Sequence, residues 1–400
     1  MQPLTPNKLL IVLSLNFVAL GGICSMFGTA LEELAVNNAS TLSAVGSVIT
    51  MLFLGSLIAL LIVGPLSDRV GQRPTIAIGA LLMILGSAGV ALSRSLPLLL
   101  GSGLMIGLGQ GSINISSIVL ISKVFPTRQT TMLGLLNVFY GIGAISIPAL
   151  ASFTLGAWGS ALPALWSAAA LLLILTPLIP LMPHLPPSQT HTTQSGTRPN
   201  LLGHLRNSLI WLLGGFLLLY VGIETGMGNW IPTYLERTTS LELAITALGT
   251  SGFWLTLTVG RLAGALLGAR VAPQTLLLGA ICGMIGSGAL VVLSTGFIVP
   301  TVIGILLFGF FLGPIYPTTL ALTTASFPNT PGTATSLVTA LGSLGGSLLP
   351  WVQGILLEQV SPNASMLMIL FGALTMLGLQ VMRNAIGQRK LNLQAVAPQE

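Results

Sequence analysis

The sequence predicts an all-α integral membrane protein in which twelve transmembrane helices form two pseudo-symmetric six-helix bundles. Three observations predict it. Of the 400 residues, 53% are hydrophobic and only 6% are charged, a balance that no soluble globular domain shows. Twelve runs of 19 or more residues carry almost no charge, and each is long enough to cross a hydrocarbon core of ~30 Å at about 1.5 Å per residue. The chain also aligns with itself at an offset of 202 residues without a gap.

The first span, 9–31, follows Lys8 and precedes Glu32 and Glu33. It is too long for a signal h-region and ends in no A-x-A-like site, so it is expected as a mature helix. Spans 43–66 and 74–93 flank a charged segment, Gly64 to Arg73, which reads as a tight turn at one membrane face. Spans 97–122, 130–154 and 160–183 complete the first half. Residues 184–206 are rich in Pro, Ser, Thr and His and read as a linker. The second half holds spans 207–235, 242–267, 273–293, 298–325, 331–357 and 362–385. The expected domains are therefore 1–183, a linker at 184–206, and 207–400 ending in a short tail.

The formal charge of +6 does not point to nucleic acid, because the basic residues follow the membrane. With the N-terminus inside, eleven Lys or Arg residues fall on the cytoplasmic face and only Arg94 and Arg237 on the outer one. That asymmetry places both termini and the linker in the cytoplasm. Glu32, Glu33, Glu236, Glu242 and Glu358 mark the outer ends. Cys24 and Cys282 lie within apolar spans and read as packing residues. His184, His191 and His204 sit in or beside the linker without ligand spacing. No metal and no cofactor are expected.

Across 107–150 the self-alignment gives ten identities in 44 positions, among them Gly107/Gly309, Gly111/Gly313, Phe125/Phe327, Gly143/Gly345 and Pro148/Pro350. A six-helix duplication follows. Halves related by an axis along the membrane normal place a site between them at mid-membrane. Gly260, Gly264 and Gly268 on helix 8, and Gly342, Gly345 and Gly346 on helix 11, form small-residue faces suited to close packing.

The segment Gly64-Pro-Leu-Ser-Asp68-Arg69-Val-Gly71-Gln-Arg73 resembles the loop between helices 2 and 3 of the major facilitator superfamily, G-x-L-[AS]-D-R-x-G-[RK]-[RK], with Gln72 as its one departure. The resemblance covers essentially the whole chain and implies a major-facilitator-like fold working by alternating access. Tyr220 to Leu235, Trp254, Gly260-Arg261, and the Gly107-x-Gly109-x-Gly111-x-x-Asn114 run resemble the fucose-permease-like sugar:proton symporters. That branch carries acidic residues in helices 1 and 4. Here helix 4 offers Ser112 and Ile113, and helix 1 has no acid before Glu32.

A charge at mid-bilayer costs at least ~2.5–3.5 kcal/mol on insertion scales, so a carboxylate there is a functional candidate. Glu224 is the only one, and Tyr220 one turn earlier shares its helical face. Burial disfavours the charged form of a carboxyl group, which makes Glu224 the candidate proton carrier. Gln110, Asn114, Asn137, Tyr220, Trp254 and Tyr316 are candidate solute contacts, since amides beside aromatic faces suit a polyhydroxylated solute. Interhelical hydrogen bonding is the alternative for each. Arg261, deep in helix 8, reads as a gate, an anion site or a side chain reaching back to the interface. At the inner face, Asp68 supported by Arg69 and Arg73 is expected to bond to the start of helix 11 and latch that side, with Gly64 and Gly71 shaping its loop.

These readings imply a secondary active transporter for a small polar solute, a sugar among the candidates, with protons as the candidate coupling ion and the lipid bilayer as its surroundings. It is expected to act as a monomer, in a cell membrane. The alternatives are a drug or hydrophobic-compound:proton antiporter, a lipid flippase and, outside transport, a membrane sensor. No G-x4-G-K-[ST] loop occurs, which excludes an ATP-driven pump at this chain. No His-rich metal set or Ser/His/Asp trio is available for an intramembrane enzyme.

Overall fold

The computed structural model describes residues 5–125, 129–182, 206–268, 270–327 and 331–396. Among the described residues every regular element is helical. The first half comprises α1 in two pieces (Pro6–Ser25 and Phe27–Asn37), α2 (Leu42–Val70), α3 (Gln72–Leu92), α4 (Leu96–Val124), α5 (Gln129–Trp158) and α6 (Leu162–Leu175). A 3-10 turn, Thr176–Leu181, ends α6. The second half comprises α7 (Ser208–Thr238), α8 (Leu243–Gly268), α9 (Pro273–Leu293), α10 in two pieces (Ile298–Leu312 and Ile315–Ser326), α11 (Pro331–Ile355) and α12 (Pro362–Val396). Eleven helices among the described residues are long and apolar enough to cross a membrane. The 26-residue α8, which carries Arg261, is the twelfth expected span.

Three expectations about the elements change. The segment from Gly64 to Arg73 is not a turn: α2 stays helical through Val70, and Gly71 alone separates it from α3. Gly71 has φ +95°, a conformation that a residue with a Cβ adopts only with strain. The first span breaks at Met26, where the Ser25 and Thr29 hydroxyls donate to the Gly22 and Met26 carbonyls. The tenth breaks at Gly313-Pro314, since proline supplies no backbone N–H to continue the ladder. The side chains of Gly64, Asp68 and Arg69, the first residues of α11, and nearly all of the 184–206 linker lie outside the described residues. So does any latch between Asp68 and α11.

The duplication is visible in the packing. In the first half α1 lies on α5, α2 on α4 and α3 on α4; in the second α7 lies on α11, α8 on α10 and α9 on α10. Matched glycines make these contacts close. A Cβ at Gly143 would collide with the Val18 carbonyl of α1, and one at Gly345 with the Leu218 carbonyl of α7. Gly260 and Gly264 set α8 against Phe310 and Pro314 of α10, so this small-residue face is used inside its own half. The halves meet through α2 on α11 and α5 on α8, pairs that the duplication exchanges. Large apolar side chains such as Leu293, Phe371 and Ile174 point outward, as a lipid-facing belt requires.

Both described chain ends lie on one face, here the terminal face, because twelve crossings return the chain to its starting side. At the opposite, far face the halves are joined. Glu358 accepts hydrogen bonds from the backbone N–H of Leu42 at 3.1 Å and Ser43 at 2.7 Å, the first residues of α2. Gly28 donates to Asn229 Oδ1 at 3.1 Å, Thr50 to the Ser347 carbonyl at 2.7 Å and Ser251 to the Ile145 carbonyl at 2.9 Å. The Trp230 indole fills the space between Gly46 and Gly354 and donates to the Pro350 carbonyl at 2.8 Å.

The far-face charges differ in strength. Arg237 and Glu32 stand 3.9 Å apart and partly exposed, a geometry worth about 0–1 kcal/mol. Burial and then the nearby Glu236 hold the Glu32 carboxyl above its ordinary range, which weakens that pair further. Glu358 instead places a carboxylate on the positive end of a long helix with two charge-assisted bonds, worth about 1–2 kcal/mol together. Replacing Glu358 with alanine is therefore expected to widen distances between spin labels across the far face, raising the open population about 5- to 30-fold. Unchanged distances would show that the carboxylate does not hold this face shut.

Candidate functional site

A cavity of about 1070 Å³ lies between the halves. It runs from mid-depth, at Phe17 and Trp254, to the terminal face, where Gly268 and Pro273 line it. Helices α1, α2, α4 and α5 contribute from the first half and α7, α8, α9, α10 and α11 from the second. Glu224 and Arg261 are the only formally charged side chains among its described lining residues.

These two meet. Tyr220 and Glu224 are one turn apart on α7, and the crossing of α8 brings Arg261 to both. Arg261 Nη2 donates to Glu224 Oε1 at 2.6 Å and to the Tyr220 hydroxyl at 3.3 Å. The Tyr220 hydroxyl donates to the same Glu224 oxygen at 2.9 Å, closing a three-membered cluster. The Tyr316 ring lies 5.6 Å from that of Tyr220 and closes the cluster from α10. Arg261 thus turns inward to the carboxylate rather than back to the interface, and Glu224 has a charged partner that its isolation in the sequence does not reveal.

The other candidates fall around this cluster. Gln110 and Asn114 of α4, Asn137 of α5, Trp254 of α8 and Tyr316 of α10 all line the cavity. Tyr220 does not: it is fully buried and reaches the cavity through Glu224, Arg261 and Tyr316. Trp254 is 8% exposed, and its indole N–H has no hydrogen-bond partner. Thr258 lies one turn further along the same face and donates to the Trp254 carbonyl at 2.8 Å. Gly71 and Arg73 stand at the start of α3 and are not among the lining residues.

Several lining residues escape the sequence reading. Tyr140 is one, although its spacing of three from Asn137 puts it on the same face of α5. Phe17, Phe53, Thr225 and Ser343 are others, and nothing in their local pattern separates them from packing residues. Both cysteines are free. Cys24 is half-buried, whereas Cys282 is exposed on α9 and so is not the packing residue its span suggests.

Two bundles enclosing a cavity that holds an ion pair and opens on one membrane face define a multi-pass membrane transporter. The particular family is equally plain: the profile of the Major Facilitator Superfamily matches residues 10–350, and the chain belongs to that family. The nitrite extrusion protein of Bacillus subtilis (strain 168) is 25% identical over 295 residues, covering 72% of this chain and 71% of the relative. A protein of Saccharomyces cerevisiae named Bypass of stop codon protein 6 is 23% identical over 64% of this chain, and the match spans only 58% of its length. Among solved structures, the nucleoside transporter NupG superimposes with a TM-score of 0.78 at 16% identity, covering 94% of this chain and 99% of that one. The transporter FucP in its outward conformation gives 0.65 at 18% identity, covering 94% and 98%. These two likenesses establish the fold.

Proposed function

We propose that this chain moves a small polyhydroxylated solute across a cell membrane together with a proton, by alternating access to the central cavity. The observation that carries the reading is the Glu224–Arg261 pair, 2.6 Å apart and the only formal charges among the cavity's described lining residues. A proton arriving at Glu224 removes its charge and loosens the pair, so protonation and cavity chemistry change together. The amides of Gln110, Asn114 and Asn137 supply both donors and acceptors, which hydroxyl groups require, and Trp254 offers a flat apolar face.

Most of the wall is apolar, which a drug or lipid cargo would also use; the ion pair and the polar side chains of Gln110, Asn114, Asn137, Thr225, Thr258 and Ser343 set into it favour the polar solute. In proteoliposomes, Glu224→Gln is expected to retain solute exchange down a gradient and to lose uphill accumulation driven by a pH gradient. Normal accumulation by that variant would remove Glu224 from the coupling.

The terminal face is taken as cytoplasmic, on the strength of eleven basic residues against two. A cysteine placed in the 184–206 linker should then resist impermeant maleimide added to intact cells and react after permeabilisation. Labelling in intact cells would reverse the orientation.

Asp68 at the terminal face is proposed as the counterpart of Glu358 at the far face: Glu358 meets the start of α2 in the other half, and Asp68 is proposed to do the same at the start of α11. The duplication puts Arg270 opposite Asp68 in the second half, so the equivalent bond to α5 is absent and the latch is one-sided. Asp68→Asn is expected to move inter-helix distances opposite to Glu358→Ala, toward an open terminal face. Distances unchanged while transport falls would eliminate this latch.

A further inference from the structure

Two features of the cavity remain unused by a neutral solute. Both are donors without acceptors. The hydrogen bonds of the Arg261 guanidinium run through Nη2 alone, to Glu224 and Tyr220, while its Nε is buried with no partner. The Trp254 indole N–H, on a residue 8% exposed at the cavity wall, also lacks a partner. A buried donor left unmade costs about 1–3 kcal/mol; both nitrogens are covered as they stand, so a ligand oxygen pairs with them once the side chains turn toward the cavity.

Charge adds a sharper constraint. With Glu224 ionised, the described lining is neutral. When Glu224 takes a proton the lining carries one positive charge, on a guanidinium that cannot give it up. An uncompensated cation in a site walled by Phe17, Phe53, Leu60 and Val138 is costly, and a neutral sugar leaves it uncompensated. A monoanion restores neutrality, whereas a dianion overshoots. The planar fork of Arg matches a carboxylate, and Tyr220 remains in place to orient it.

Spacing sets the size. Trp254 and Arg261 are seven residues apart on one face of α8, so their backbones lie about 10 Å apart along the helix axis. Thr258 sits between them on the cavity wall. A chain of about five to seven atoms reaches from an oxygen at Trp254 to a carboxylate at Arg261 once both side chains extend toward it.

We infer that the transported solute is a sugar-acid-sized hydroxy monocarboxylate whose carboxylate takes the place of the Glu224 carboxylate on Arg261, while an oxygen at its other end accepts from Trp254 Nε1. The inference rests on the carrier reading above. The proton stays on Glu224 and the solute crosses as its anion, so the two charges cancel and the step moves no net charge. The titratable and charged groups facing Glu224 are Tyr220 on its own helix, Arg261 from α8, Tyr316 from α10 and Tyr140 from α5. Of these groups Glu224 is the one carboxylate, the side chain whose negative charge a proton removes.

The test uses the purified full-length protein and four probes: D-gluconate and D-galacturonate, and their neutral counterparts D-sorbitol and D-galactose. Binding is read by thermal shift and tryptophan fluorescence at pH 5.5 and 7.5. At least one acid is expected to bind tenfold or more tightly than its neutral partner, and tighter at pH 5.5 than at 7.5. Trp254→Phe should weaken that binding about fivefold. Arg261→Gln alone leaves Glu224 unpaired and endangers folding, so the double variant Glu224→Gln/Arg261→Gln, neutral throughout, is the decisive one. It should lose the preference for the acid while still binding the neutral partner. Equal or tighter binding of the neutral probes by the wild type, or an acid preference surviving in the double variant, overturns the carboxylate and leaves the carrier reading intact. Binding of none of the four probes overturns both.

Discussion

A charge cannot stand alone at the middle of a bilayer, and the arrangement of the cavity depends on how that constraint is met. Glu224 and Arg261 satisfy it together, 2.6 Å apart, with Tyr220 bonding to both. Removing one partner strands the other, and stranding a buried charge costs about 3–5 kcal/mol, more than the pair contributes when intact. The pair therefore ties α7 to α8 in one register. It also makes the cavity's charge depend on a single proton, which is what a coupled carrier needs from its binding site.

The same economy of charge governs the faces. At the far face the cross-half contacts are mostly neutral hydrogen bonds to backbone carbonyls, together with the Trp230 indole wedged between two glycines. One carboxylate, Glu358, lies on the start of α2 and adds a term that substitution or protonation removes. Contacts of about 1 kcal/mol each hold a state without trapping it, and alternating access requires two states of nearly equal free energy. The matched glycines serve the opposite end. Gly143 and Gly345 bring α5 onto α1 and α11 onto α7 so closely that neither helix pair has room for a side chain between its backbones.

Much of the candidate site was legible in the sequence, and the reason is energetic. Polar residues are costly in apolar spans, so the few that persist stand out: Gln110, Asn114, Asn137, Glu224, Trp254, Arg261 and Tyr316 all line one cavity. Tyr220 stood out for the same reason but serves from behind, bonding to Glu224 without lining the cavity. Phe17 and Phe53 did not stand out, because an aromatic side chain facing a cavity and one facing lipid look alike along the chain.

The sequence by itself determined the class of fold, the crossings and the duplication. Each follows from local quantities: the apolar length needed to span the bilayer, the placement of Lys and Arg, and identities at a fixed offset. It also marked the turn glycine, Gly71, though not that α2 runs helical almost up to it, since helical bonds inside a charged segment form without any apolar signal. Only the tertiary structure decided that Arg261 belongs to Glu224, 37 residues away on the next helix. It also decided that Glu358 reaches across the halves to α2, and that the cavity opens on the terminal face. Pairing across helices depends on their rotation and crossing, and those are set by the sum of many small packing contacts that no single stretch of sequence contains.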